Sequence, residues 1–418
     1  MKILFVHQNF PGQYLSLARH LGATGQHEVV FLTQRRDADL PGVRKLVYRP
    51  QRGITPGIHH YLRETEAGVL NGQEVVRAAI SLRNSGFVPD VMLGHNGWGE
   101  IWYLKEVFPN APLIGYFEFF YRQDGADVGF EPDAVVDFDS GPRVRSKNIG
   151  NWMGLDAADL GQCPTHWQRS LYPACHQSKL HVVHEGVDTR LVAPNAGATV
   201  RLPETDIEVR AGDEVVTYVA RNLEPYRGFP SFMRALPEVL SRRPNARVLI
   251  IGADGVSYGA PPPEGKTFKQ ILLDELDDSI DRSRVHFLGR VPYSVFLSVL
   301  QVSRVHVYLT YPFVLSWSMI EAMSAGCLLV ASRTPPVQEV IRDGENGLLV
   351  DIFSPKEIAE RIIEPLADPT AFAGLRAAAR RTAIEQYDLQ SVCLPAQLRL
   401  LRLAAPPPPE SIWVGKRA

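Results

Sequence analysis

The sequence predicts an α/β protein of two doubly wound parallel-sheet domains that face a central cleft. Three observations predict it. The chain has 418 residues, more than one hydrophobic core ordinarily organises. Two segments, one beginning at Lys2 and one at Glu214, open with the same succession of apolar run, turn and amphipathic stretch. The apolar runs that follow are short and continuous rather than alternating, as in strands covered on both faces by helices.

The first half opens with "KILFVHQNFPGQYLSLARHL", a strand, a turn and a helix with Leu15, Leu17, Ala18 and Leu21 at its apolar positions. Further strand candidates follow in "HEVVFLT", "DVMLGHNGW", "APLIGYFEFF", "LGQCPTHWQRSLYP" and "KLHVVHEGVD". The second half opens with "EVVTYVARNLEPYRGFPSFMRALPEVL", whose helix carries Phe232, Met233, Leu236, Val239 and Leu240 on one face. It continues through "ARVLIIGADG", "SRVHFLGRVPYSVFLSVLQVSRVHVYLTYP", "YPFVLSWSMIEAMSAG", "CLLVAS" and "NGLLVD". The expected divisions are a first domain at 1–192, a linker at 193–214 and a second domain at 215–385. A C-terminal helix at 386–404 is expected to pack back on the first domain, and 405–418 reads as a Pro-rich tail.

Composition narrows the function classes. Hydrophobic residues make up 45% and charged residues 22%, values of a soluble globular protein. With 44 basic against 46 acidic residues there is no electrostatic footprint for nucleic acid. The short basic clusters Arg35-Arg36 and Arg143 to Lys147 read as solvated faces and leave weak room for contact with an anionic membrane surface. No apolar run approaches the roughly 20 residues of a membrane span, and Ile3 to Val6 is too short for a signal peptide. A cytoplasmic protein, with peripheral contact at the inner membrane face as its membrane option, is the expectation. Cys163, His166, Cys175, His176, His181 and His184 cluster in sequence, but their spacings fit no common zinc pattern, so no metal is expected.

Parallel sheets bind ligands at the carboxyl ends of their strands, and two such domains in tandem put the expected site between them. The residues just after strands therefore matter most. Arg221 follows the run Val215 to Ala220, and Arg227 comes six residues later, beside Gly228. A guanidinium suits phosphate because its planar fork donates two parallel hydrogen bonds. In "HFLGRVPY" the turn holding Arg290 and Val291 offers backbone groups to a nucleobase edge. In "YPFVLSWSMIEAMSAG", Ser318 and Glu321 have the spacing of a capping box. The same stretch also reads as an anion site at a helix N-terminus, at Ser316, Trp317 and Ser318, with Glu321 accepting hydrogen bonds from sugar hydroxyls. In the first half, His95 ends a strand beside Asn96, as a structural histidine or one turned to the cleft. Glu118 sits among Tyr116, Phe117, Phe119, Phe120 and Tyr121, where desolvation would raise its pKa and rings could stack on a sugar. Pairing with Arg122 is the plainer alternative for Glu118.

The order of "VARNLEPYRG", "IIGADG", "FLGRVP", "SMIEAMSAGCLLVAS" and "VIRDGENGLLVD" resembles the retaining glycosyltransferases of family four, which have two Rossmann-like domains (the GT-B architecture). The resemblance continues more weakly through "HEGVDTRL" and "MKILFVHQNFPGQ". It implies a nucleotide-diphosphate-sugar donor, a hydroxyl acceptor (a sugar, glycolipid or glycoconjugate), retention at the anomeric carbon and no metal. Arg221 then matches the arginine on the donor diphosphate, and Arg227 stands where the family usually has lysine. Glu321 matches the glutamate on the donor ribose, Ser316 to Ser318 wrap phosphate and sugar, and Gly12 matches the first-domain glycine loop near the donor phosphate. Two positions depart from the pattern. Phe313 stands where a second glutamate usually touches the donor sugar, and Glu118 stands where many members carry histidine. His95 becomes the best histidine for the cleft.

Two rivals share these features. A nucleotide-sugar 2-epimerase would need more acid and base groups in the cleft than the sequence offers. A non-catalytic sugar-nucleotide binder is motivated by Phe313 and the missing histidine.

Overall fold

A computed structural model of the chain describes residues 1–135, 137–202 and 205–405. The stretch 406–418, most of the expected tail, lies outside the described residues. The chain forms two compact units. Among the described residues, one comprises Met1–Tyr121, Asp137–Glu185 and residues 393–405; the other comprises residues 122–135, 186–202 and 205–392.

In the first unit the strands are β1 (Lys2–Val6), β2 (Glu28–Thr33), β3 (Val43–Val47), β4 (Val91–His95), β5 (Leu113–Tyr116), β6 (Leu160–Cys163) and β7 (Leu180–Val182). They lie in the order β3-β2-β1-β4-β5-β6-β7, all parallel. Ile3, Leu4, Phe5 and Val6 are fully buried, which is why the run lacks polar alternation. The strand order reverses between β1 and β4, so the loops after these two strands meet at the switch point of the sheet.

The second unit begins with an antiparallel pair, β8 (Thr199–Arg201) and β9 (Glu208–Arg210). Its parallel sheet holds β10 (Val215–Asn222), β11 (Arg247–Ala253), β12 (Val285–Gly289), β13 (Val305–Tyr308), β14 (Leu328–Ser332) and β15 (Leu348–Val350). The order is β12-β11-β10-β13-β14-β15. The helix Phe229–Arg242 lays Phe229, Phe232, Met233, Leu236 and Val239 against Val216, Val248, Ile250 and Val307 of this sheet.

The divisions differ from the sequence expectation in four places. The segment read as a linker is structured: Val200, Leu202 and Val209 of the hairpin are buried with Val215, Leu249, Val299 and Val302. Val187 and Val192, expected in the first domain, join the core of the second unit beside Met319, Met323 and Tyr387. Residues 122–135 also belong to the second unit. There the Phe130 ring lies 5.1 Å from that of Tyr311, and Glu131 accepts a 2.6 Å hydrogen bond from the Tyr311 hydroxyl. Finally, the helix Ala373–Tyr387 runs past residue 385, and the last helix is Leu394–Ala404. Gln397 on that helix donates to the His184 and Glu185 carbonyls, both at 3.2 Å, within the first unit.

Candidate functional site

Arg227 closes the turn Pro225–Arg227 after β10, and Gly228 follows with φ of 65°. A Cβ at Gly228 would stand 2.4 Å from Leu309 Cβ, so only glycine lets this turn approach the end of β13. The turn carries the Arg227 side chain inward, to 8% exposure. Nη1 donates to Thr310 Oγ1 at 2.8 Å and to the Val314 carbonyl at 3.0 Å, and lies 3.5 Å from the Tyr308 hydroxyl. The guanidinium also sits over the Tyr258 ring, 5.3 Å from its centroid. Among the described residues no carboxylate forms an ion pair with it. Every partner is neutral.

Tyr308 links this cation to the next element. Its hydroxyl accepts a 2.7 Å hydrogen bond from Ser316 N, immediately before the helix Trp317–Ser324. The N-cap of that helix is Ser316, whose side chain accepts from Ser318 N. That overturns the capping-box reading of Ser318 and Glu321, because the helix begins two residues earlier and Glu321 lies beyond its first turn. The Glu321 carboxylate instead accepts a 2.7 Å hydrogen bond from the Tyr293 hydroxyl. Burial pushes the Glu321 pKa above the ordinary carboxylate value, and the Tyr293 bond opposes the rise.

Phe313 is 7% exposed, its ring 4.8 Å from that of Tyr258 and 5.7 Å from that of Tyr226. Tyr258 is held by Glu224, a fully buried carboxylate that accepts from the backbone N–H groups of Ser257, Tyr258 and Gly259. Arg221 is exposed at the end of β10, and Arg290 is exposed just after β12. Val291 packs on the cluster around Val299, and Trp317 is 43% exposed. So the second unit brings Arg227, Phe313, Ser316 and Ser318 together around Tyr308 and Tyr258. It pairs Glu321 with Tyr293 and leaves Arg221 and Arg290 on the surface at strand ends.

The first unit gathers Gly12, His95 and Glu118. Gly12 has φ of 53°, and a Cβ there would meet His7 Nε2 at 2.5 Å. His7 Nε2 shares a 2.7 Å hydrogen bond with Gln13, and its ring lies 5.0 Å from that of His95. His95 Nδ1 accepts from Gly97 N at 2.9 Å, so its proton sits on Nε2, the nitrogen 3.7 Å from Glu118 Oε2. Burial, with His7 nearby, pushes the His95 pKa well down. The ring is therefore neutral, and its approach to Glu118 is not a salt bridge.

Several neighbours escaped sequence reasoning. His7 and Glu224 sit inside motifs but look like ordinary loop residues. Tyr293 and Tyr308 carry no local signal beyond following or ending a strand. Glu100 is wholly buried, accepts from Gln8 N and the Tyr48 hydroxyl at 2.9 Å each, and has its pKa pushed up to about 7 by burial. Among the described residues, no three or more His, Cys, Asp or Glu side chains are arranged to hold a metal ion. No helix among them is long and apolar enough to cross a membrane.

Two parallel sheets of switch-point topology, with cation and helix terminus at the strand ends of the second, define a GT-B fold. The family description "Glycosyl transferase family 4 group" matches residues 25–192, and "Glycosyl transferases group 1" matches residues 204–386. The chain belongs to the family-four glycosyltransferases of GT-B type. It is 28% identical over 234 residues to the D-inositol 3-phosphate glycosyltransferase of Corynebacterium efficiens, covering 54% of this chain and 53% of that protein. The GDP-mannose-dependent alpha-(1-6)-phosphatidylinositol monomannoside mannosyltransferase of Mycolicibacterium smegmatis is 24% identical over 319 residues, 71% of this chain and 74% of its own. The chain thus spans about half the length of several curated relatives it matches. Among solved structures, Anabaena HepE with UDP and glucose superposes with a TM-score of 0.64 at 16% identity, covering 96% of this chain and 99% of that one. That likeness is one of fold.

Proposed function

We propose that the chain transfers a sugar from a nucleotide-diphosphate-sugar donor to a hydroxyl acceptor, with retention at the anomeric carbon and without a metal. The observation that carries the proposal is the Arg227 guanidinium, buried among neutral partners. An uncompensated buried cation is costly, so a site that keeps one is built for an anion. The donor diphosphate is that anion. Arg227, Arg221 and the helix start at Ser316 to Ser318 stabilise charge developing on the β-phosphate as the glycosidic bond breaks. Glu321 takes the ribose hydroxyls, the turn at Arg290 and Val291 takes the base, and Phe313 lies beside the sugar. Gly12, His95 and Glu118 serve the acceptor side, with the His95 Nε2 proton as a donor to a substrate oxygen.

The relatives' names support the acceptor class: D-inositol 3-phosphate for one and phosphatidylinositol monomannoside for another. We accordingly propose a polyol or glycolipid hydroxyl as acceptor, met by a cytoplasmic protein at a membrane surface. The deciding experiment is a thermal-shift screen of the full chain against UDP-, GDP- and dTDP-sugars, followed by assay of donor hydrolysis. Ligand binding to the folded state raises the midpoint by an amount set by concentration over Kd. A chain that no nucleotide sugar stabilises is not such a transferase, and one that binds without releasing nucleoside diphosphate is a binder only.

A further inference from the structure

We propose that Tyr293 is a positioning residue for Glu321, and that the pair selects donors whose ribose carries its 2′-hydroxyl. The proposal rests on the donor reading above and adds a residue and a selectivity to it.

Tyr293 opens the helix Tyr293–Val302, directly after the turn that follows β12. Its ring is half exposed, yet its hydroxyl turns to Glu321 Oε1 at 2.7 Å. Glu321 comes from a different helix, 28 residues later. No backbone N–H of the described residues donates to the Glu321 carboxylate, and the Tyr293 hydroxyl is its one hydrogen-bonding partner there. A carboxylate offers about four acceptor positions, so Tyr293 fills one and leaves the rest for a ligand. The phenol also fixes which way the carboxylate plane faces, since a single short bond to Oε1 restricts its rotation.

A vicinal diol suits what remains, because its two O–H groups donate in parallel to one carboxylate. A 2′-deoxyribose brings only one. A half-buried acceptor that meets two donors loses one of them when the 2′-hydroxyl is missing, and sites that hydrogen-bond a substrate hydroxyl discriminate against the analogue without it. Orientation matters to this discrimination. A carboxylate free to turn would meet one hydroxyl nearly as well as two.

Charge matters as well. Burial disfavours the ionised carboxylate and the Tyr293 bond favours it. Burial first, then Glu321 and, least, Asp188 push the Tyr293 phenol's pKa up, so the phenol stays protonated and donating.

The test uses the full chain with UDP and GDP, each beside its 2′-deoxy counterpart, titrated calorimetrically from pH 5 to pH 8. The wild type is expected to bind one ribonucleotide about tenfold or more tightly than the deoxy form. Tyr293→Phe should bind that ribonucleotide more weakly, bring the ratio toward one, and move the acid limb of binding to higher pH. Tyr293→Gln, which restores an N–H donor, should recover part of the ratio. A merely structural role predicts that both nucleotides weaken equally and the pH limb stays put; that result overturns the proposal. Equal wild-type affinity for the ribo and deoxy forms overturns it too. If dTDP binds the wild type while UDP and GDP do not, the proposal is overturned and the donor reading stands; if none of the three binds, the donor reading itself falls, and the proposal with it.

Discussion

The Tyr293 hydroxyl donates a 2.7 Å hydrogen bond to Glu321 Oε1, and the helix that carries Glu321 is capped by Ser316 instead. The helix cap is thus Ser316 and the proposed ribose acceptor is Glu321, and these two roles separate by mutation. Ser316→Ala should cost about 1 kcal/mol of stability, as N-cap losses do. Glu321→Gln should cost no stability, because burial already opposes the charge. It should raise the donor KM by an amount worth roughly 1–3 kcal/mol. Urea denaturation beside donor titration reads both; a destabilised Glu321→Gln with normal KM would return the carboxylate to a structural role.

Arg227→Met should leave the free protein as stable as the wild type or more so, since it removes a buried charge that lacks a carboxylate partner. The same variant should lose the thermal stabilisation that excess nucleotide diphosphate gives the wild type. Arg227→Lys should keep most of it, lysine being the family's usual residue. A large drop in the melting point of ligand-free Arg227→Met would mean that the bonds to Thr310 and Val314, not an anion, explain the residue.

The Arg221 side chain is exposed and makes no hydrogen bond or ion pair among the described residues, so Arg221→Ala should be silent in stability. Its kcat/KM for donor should fall by about 2–4 kcal/mol worth if it touches the diphosphate in the transition state. A change of less than about threefold, close to 0.6 kcal/mol, would remove Arg221 from the site.

Glu100 gives a stability signature with a definite sign. Its folded pKa is about 7, above the ordinary 4.5, with burial as the leading cause. Below pH 4.5 the group is protonated in both states and costs nothing; its penalty grows with pH and is complete above about 7. Glu100→Gln stays neutral and still accepts from Gln8 and Tyr48. The variant should therefore be more stable than the wild type at pH 8, by up to about 3 kcal/mol, with the gain gone at pH 4. A gain independent of pH would show that ionisation is not the cause.

Phe313 presents a ring at the position where the family resemblance implies a carboxylate, and that ring is packed between Tyr226 and Tyr258. An apolar wall accepts a deoxy carbon or an acetamido methyl at little desolvation cost, so deoxy or N-acetylated donors should be accepted at least as well as plain glucose donors. Phe313→Glu should move preference toward fully hydroxylated sugars in a donor competition assay. If the variant folds cooperatively with an unchanged donor profile, Phe313 does not face the sugar. If it loses several kcal/mol of stability, the ring belongs to the core.

The two-sheet architecture was legible in the sequence because it is written locally. Runs such as Ile3 to Val6 and Val215 to Val219 lack polar alternation since both faces of a parallel strand are covered, and that pattern needs no knowledge of neighbours. Arg227 beside Gly228, and the helix start near Ser316, were legible for the same reason: a tight turn and a cap are properties of a few consecutive residues. Tertiary structure decided what those residues meet. That Arg227 is buried with neutral partners depends on Tyr308, Thr310 and Val314, more than 80 residues away, arriving on the adjacent strand and its loop. That Glu321 answers to Tyr293, and that Tyr258 is held by Glu224, depends equally on strand order. Periodicity records that a face is covered, whereas a hydrogen bond between distant residues exists only once the tertiary fold has brought the elements that carry them together.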